Sequence, residues 1–206
     1  MNGIGKQTAK TLKSFGIKTI GDLAGLDKDF LIKHFGKNGI AIHEKANGID
    51  NSTVIPHSED EMKSIGRSIT LAEDLSDIDI ANVVLLRLAD DIGRTARYFS
   101  KKGSVVQITI KFSNFKTITR QITVPSTYLT KDIASAGIEL LKQHWNTDIP
   151  VRLLGIRLSG FAHEVDQLSL FDENVKEEKL EKTVDAIRNK YGASKINWAV
   201  LMDEDE

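Results

Sequence analysis

The chain opens on Gly3-Ile4-Gly5, followed by Lys6, Thr8 and Ala9, and these residue types can hold a phosphate without reading a base. Glycine permits a tight turn with positive φ, and without a Cβ it lets a phosphate approach the backbone closely. The helix that follows contributes unpaired N–H groups and the positive end of its dipole. Lys6 adds a charge and Thr8 a hydroxyl. Gly-x-Gly is also a plain turn between helices, so this motif alone leaves both readings open.

A second group lies on four predicted strands, at 63–71, 105–112, 116–124 and 151–161. They hold none of the chain's 29 acids, yet carry Lys63, Arg67, Lys111, Lys116, Arg120, Arg152 and Arg157. Alternation sends Ile108, Ile110, Phe112, Leu154, Ile156 and Leu158 to one face. The other face then shows Ser64, Gly66, Ser68, Thr109, Lys111, Thr117, Thr119, Arg157 and Ser159. Together with Lys63 and Arg67 these form a candidate DNA-contacting set: hydroxyls, glycines and cations, with no carboxylate to repel a phosphate backbone. A solvated sheet face has much the same composition. Arg120 shares parity with Ile118 and Ile122, which leaves its facing open.

The third group is Gln167-Leu168-Ser169-Leu170-Phe171, just beyond the fourth strand. Its apolar residues stand beside a polar, acidic run. It is suited either to docking as an extended peptide in a partner's pocket or to padding its own domain. Catalytic patterns are missing. His34, His43, His57, His144 and His163 show no ligand spacing. There is no GxxxxGK[ST] and no Gly-x-Ser-x-Gly. The acidic clusters at 58–61 and 203–206 read as solvated charge.

The elements that must position these groups follow from periodicity. Residues 1–50 read as short helices joined by glycine turns, the first placing Ala9, Leu12 and Phe15 on one face. Residues 51–62 read as a linker. Residues 63–165 give the order βαββαβ, with the first helix capped by Ser76 or Asp77 and striped by Ile80, Val84, Leu88 and Ile92. The expected fold is α+β: a four-stranded antiparallel sheet with both helices on one face, which leaves the other face uncovered. Residues 166–206 are a charged tail, helical from Lys179 to Tyr191, with no evident place in the fold. A formal charge of −1 puts the case for a polyanion on where the charges sit, not on their sum. Zero cysteines exclude disulfides and thiolate metal sites. No run approaches the roughly 20 apolar residues of a membrane span, and no signal-peptide pattern opens the chain. No membrane partner and a cytoplasmic setting are expected.

The three groups occur in this order in one known family. GIGKQTAKTLKSFGIKTIGDLA, FGKNGIAIHEKANGID, KSIGRSITLAEDL and PVRLLGIRLSGF closely resemble the C-terminal part of Y-family, DinB-type bacterial translesion DNA polymerases. The resemblance implies that 1–50 is a thumb with a helix-hairpin-helix, here entered after the motif's first helix. It implies that 63–165 is the little finger, lying against primer-template DNA without regard to sequence. QLSLF is similar to the family's peptide for the bacterial sliding clamp (its beta subunit), although some 35 residues follow it here. The family's Mg²⁺-binding carboxylates and dNTP-binding residues belong to the palm and fingers, which precede the thumb, so this chain is expected to hold no cofactor and to be inactive alone. Two alternatives stay open: a UmuC-type parent, and an autonomous clamp-docking accessory protein. An RNA-binding domain of the same topology is disfavoured, because no strand carries paired exposed aromatics.

Overall fold

A computed structural model describes residues 1–54, 62–161 and 175–202. The chain divides into two compact units, Met1–Pro56 and His57–Glu206. In the first, helices α1 (Lys6–Ser14), α2 (Ile20–Ala24), α3 (Lys28–Phe35) and α4 (Lys37–Ala46) enclose a small core of Leu12, Ile17, Leu23, Leu31 and Ile42. Two of the starts are written locally. Thr19 and Asp22 form a capping box on α2, and Asp27 caps α3 through the Asp29 amide. Gly39 on α4 faces the Leu31 carbonyl so closely that a Cβ there would collide with it, and only glycine lets α3 and α4 meet. Phe15, expected on the buried face, follows the end of α1 and is 42% exposed. Its ring leans instead on Phe30 and His34.

The second unit has β1 (Ser64–Leu75), α5 (Ile78–Tyr98), β2 (Gly103–Phe112), β3 (Thr117–Thr127), α6 (Thr130–His144), β4 (Val151–Phe161) and α7 (Val175–Tyr191). The βαββαβ order forms a four-stranded sheet, β1-β4-β2-β3, with antiparallel neighbours throughout. Helices α5 and α6 cover one face, burying Ile108, Ile110, Leu154, Ile156 and Leu158 with Leu85, Ile92, Ile133 and Leu141. Asp77 caps α5, its Oδ1 accepting from the amides of Asp79 (2.7 Å) and Ile80 (3.2 Å).

Two expectations need correction here. The buried stripe of α5 runs through Ala81, Leu85, Leu88, Ala89, Ile92 and Ala96, while Ile80 is 53% exposed. Alanines on the packed arc let the helix lie close to its neighbours, a feature that a search for bulky side chains misses. Strand β1 is also longer than its alternating segment and includes Glu73 and Asp74. Its pairing with β4 becomes irregular between Thr70 and Leu75, where period-two patterning has already ended. Absence of acids therefore describes the regularly paired rows, from Ser64 to Thr70 of β1, and not the whole of that strand. Asp74 is paired with Arg152 at 3.5 Å.

The tail has a place after all. Helix α7 is tied through side chains to α5 and to the start of α6. Arg97 of α5, 7% exposed, donates to Asp185 Oδ2 (2.6 Å), to Glu181 and to the Tyr128 carbonyl (3.0 Å). Glu181 also accepts from the Thr130 amide at 3.0 Å. Burial pushes the Glu181 carboxyl above its ordinary range, outweighing Arg97 and the Thr130 hydrogen bonds. Further along, Asp90 accepts from Arg188 (2.7 Å) and from the Trp198 indole (3.0 Å). A short 3-10 turn at Ala199–Leu201 buries Leu201.

Candidate nucleic-acid interface

The register defines the uncovered face of the sheet residue by residue, because directly opposed residues share a face. Reading across β1, β4, β2 and β3, one row is Ser64, Ser159, Val105 and Thr123, and the next is Gly66, Arg157, Gln107 and Gln121. Then come Ser68, Gly155, Thr109 and Thr119, followed by Thr70, Leu153, Lys111 and Thr117. No Asp or Glu stands in any of these rows. All nine residues predicted for this face, Ser64, Gly66, Ser68, Thr109, Lys111, Thr117, Thr119, Arg157 and Ser159, are on it.

Two glycines shape its relief. At Gly155 a Cβ would stand 3.0 Å from Ser68 Cβ and 3.3 Å from the Arg67 carbonyl, so glycine keeps the centre of the row flat. At Gly66 the Arg157 side chain lies across the backbone, its Nε 3.4 Å from where a Cβ would be. Between them is a shallow depression of about 540 Å³, bordered by Ser64, Ser68, Thr109, Leu153 and Arg157. Its floor is backbone and hydroxyl, with the exposed Arg157 cation at the side. Such a surface offers hydrogen-bond donors and positive charge to a polyanion and nothing that repels one.

Arg67 also borders this depression but has the opposite parity. Its cross-strand partner is the core residue Ile156, so its side chain leaves the helix-covered side at the sheet edge, and its guanidinium donates to Thr95 on α5 at 3.5 Å. Arg120 has the same parity, opposite Ile108 at the other edge. Lys63 precedes β1 and is exposed. Gln107 and Gln121, paired across β2 and β3, join the face without having been singled out. Their parity with Thr109 and Thr119 was the available signal.

The opening turn belongs to the first unit and is described by itself. Gly3 has φ 92°, a left-handed value, and Gly5 is the extended residue before α1. No side chain caps α1 and no acid stands in its first turn, so the amides of its first turn lack a capping side chain. Nothing lies within 4 Å of a Cβ built at Gly3 or Gly5. Lys6 is exposed and Thr8 partly so. The next hairpin, at Gly16, differs: the Asp22 carboxylate takes the amides of Lys18 (3.0 Å) and Thr19 (2.9 Å), which holds it below the usual carboxylate range. The amides at the start of α2 are thus satisfied by the chain's own side chains, whereas those at the start of α1 meet no capping side chain.

Gln167, Leu168, Ser169, Leu170 and Phe171 lie outside the described residues, as do His57 and His163. Among the described residues no group of three or more His, Cys, Asp or Glu converges to hold a metal ion, and no step through magnesium is assigned to them. None of their helices is long and apolar enough to cross a membrane.

Comparison with known proteins places this architecture. The impB/mucB/samB family C-terminal domain matches residues 62–170. A DNA polymerase IV of Clostridium kluyveri is 54% identical over 213 residues, covering 98% of this chain and 53% of the relative. One from Alkaliphilus oremlandii is 46% identical over 98% of this chain and 54% of the relative, and DNA polymerase IV 1 of Bacillus subtilis is 35% identical over 100% and 51%. The chain spans about half the length of the curated relatives it matches. The matched domain includes the whole four-stranded sheet, and the chain belongs to the impB/mucB/samB family, with the C-terminal domain of Y-family, DinB-type polymerases.

Proposed function

We propose that this chain is the DNA-holding and clamp-docking C-terminal part of an error-prone polymerase IV used in translesion synthesis, without catalytic groups of its own. The carrying observation is the set of four acid-free rows on the outer face of the sheet, where Arg157, Lys111 and rows of hydroxyls and amides stand over a flat glycine floor. Those groups fit a phosphate backbone and read no base edge, which suits an enzyme that must accept any sequence. The uncapped start of α1 behind Gly3 and Gly5 supplies a second phosphate seat, with Lys6 and Thr8 beside it. Gln167 to Phe171 supply the docking peptide for a bacterial sliding clamp. In the whole enzyme, Mg²⁺ and dNTP would be held by residues outside this chain.

One experiment tests both contacts. Binding of the chain to duplexes of unrelated sequence is measured from about 50 to 200 mM salt, alone and on immobilised sliding clamp. Similar affinities across sequences and a steep linear fall with log salt are expected, since each phosphate contact releases about 0.9 counterions. Leu170→Ala with Phe171→Ala abolishes clamp retention and leaves the salt slope unchanged. A flat salt profile sinks the DNA reading; unchanged clamp retention sinks the docking reading and favours an unrelated role for the peptide.

A further inference from the structure

The turn joining β2 to β3 holds a residue that local backbone preference opposes. Phe115 adopts φ 64°, a left-handed conformation, with its amide bonded to the Phe112 carbonyl (2.9 Å) and the Lys116 amide bonded to Asn114 Oδ1 (3.0 Å). Hairpin loops of this kind place glycine or asparagine at such a position, because a Cβ is strained there. Phenylalanine brings the strain and also an unburied ring: Phe115 is 63% exposed and adds nothing to the core. A strained, exposed aromatic points to a function for which stability is given up.

Its surroundings show which function. Lys111 Nζ stands 5.0 Å from the ring centroid and Arg152 Cζ 5.2 Å, while Arg152 is also paired with Asp74. Lys111 belongs to the last row of the outer face, with Thr70, Leu153 and Thr117, so the ring stands where that face ends. Duplex DNA hides the faces of its bases, whereas an unpaired nucleotide presents one. Both cations stand over the ring, yet most of Phe115 stays open to solvent, and an exposed ring with two cations at hand is equipped to take that base face and its phosphate together; stacking of this kind tolerates any sequence.

We infer that the β2–β3 turn is a seat for an unpaired nucleotide of single-stranded DNA adjoining the duplex on the sheet, with Phe115 stacking the base and Lys111 and Arg152 facing the phosphate. This rests on the reading of the outer face as a DNA interface. The test compares a blunt duplex with the same duplex carrying a single-stranded extension, using the whole 206-residue chain. The chain binds the extended DNA more tightly, and Phe115→Asn removes about tenfold of that preference. Blunt-duplex affinity changes less than about twofold, since the salt-dependent phosphate contacts remain. Asparagine is at home at positive φ, so the melting temperature of this variant equals or exceeds that of the parent; Phe115→Trp keeps the preference. Blunt binding retained with the preference for extended DNA intact in Phe115→Asn overturns the inference alone. Equal losses on both DNAs overturn it as well. If the parent chain binds neither DNA, the interface reading falls and this inference with it.

Discussion

Arg157 and Arg67 show why facing matters more than residue type. Both are arginines on neighbouring paired strands, and both stand in segments that alternate cleanly. Arg157 lies opposite Gly66 and Gln107 on the open face, whereas Arg67 lies opposite Ile156 and turns toward Thr95. A phosphate contact is sequence-independent and adds about one unit to the salt slope. Arg157→Gln is therefore expected to weaken duplex binding evenly across sequences and to make the salt slope shallower by about 0.9. Arg67→Gln is expected to leave the slope unchanged. Titrations at several salt concentrations measure both, and equal effects from the two variants would mean that DNA does not follow the open face.

At the scale of elements, the strands and their two helices were legible because period-two alternation, an Asp77 cap and turn residues all agreed. The face of the sheet followed from the same alternation, and every residue predicted for it is there. What escaped had weaker local signals. The burial of α5 depends on Ala81, Ala89 and Ala96, which carry little hydrophobic weight in a sequence. The extension of β1 through Glu73 and Asp74 comes from pairing with β4, a non-local contact. Helix α7 looked unattached because charged residues, not apolar ones, fasten it: only the fold brings Arg97 next to Glu181 and Asp185 across more than eighty residues. This attachment makes a sharp prediction. Removing both partners leaves a desolvated guanidinium uncompensated, which costs roughly 3–5 kcal/mol while α7 stays in place. Glu181→Ala with Asp185→Ala is thus expected to release α7 and let water reach Arg97. Hydrogen exchange would show lost protection over Val175–Tyr191 and retained protection over β2 and β4. Uniform loss across the sheet would make α7 part of the cooperative core rather than an attachment to it.

The described residues form two hydrophobic cores that share no residue, one around Leu31 and one around the sheet. Both tryptophans, Trp145 and Trp198, belong to the second unit, so indole fluorescence reports on it alone, while helical circular dichroism reports on both. Leu31 is fully buried, and Leu31→Ala is expected to cost about 2–5 kcal/mol in a core with few other large side chains. Small units have little stability to lose, so this change should unfold the first unit at a lower temperature by itself. Helical signal then falls in two steps, and the tryptophan transition stays where it is in the parent chain. A single shifted transition seen by both probes would show that the two cores unfold as one. Function should divide in the same way. Between the two transitions, the sheet still presents Arg157 and Lys111, whereas the turn at Gly3 and Gly5 is lost. Duplex binding at that temperature keeps the sheet's share of the salt slope and loses the share of the α1 seat. Separate transitions would thus weigh the proposed contribution of each unit to DNA binding.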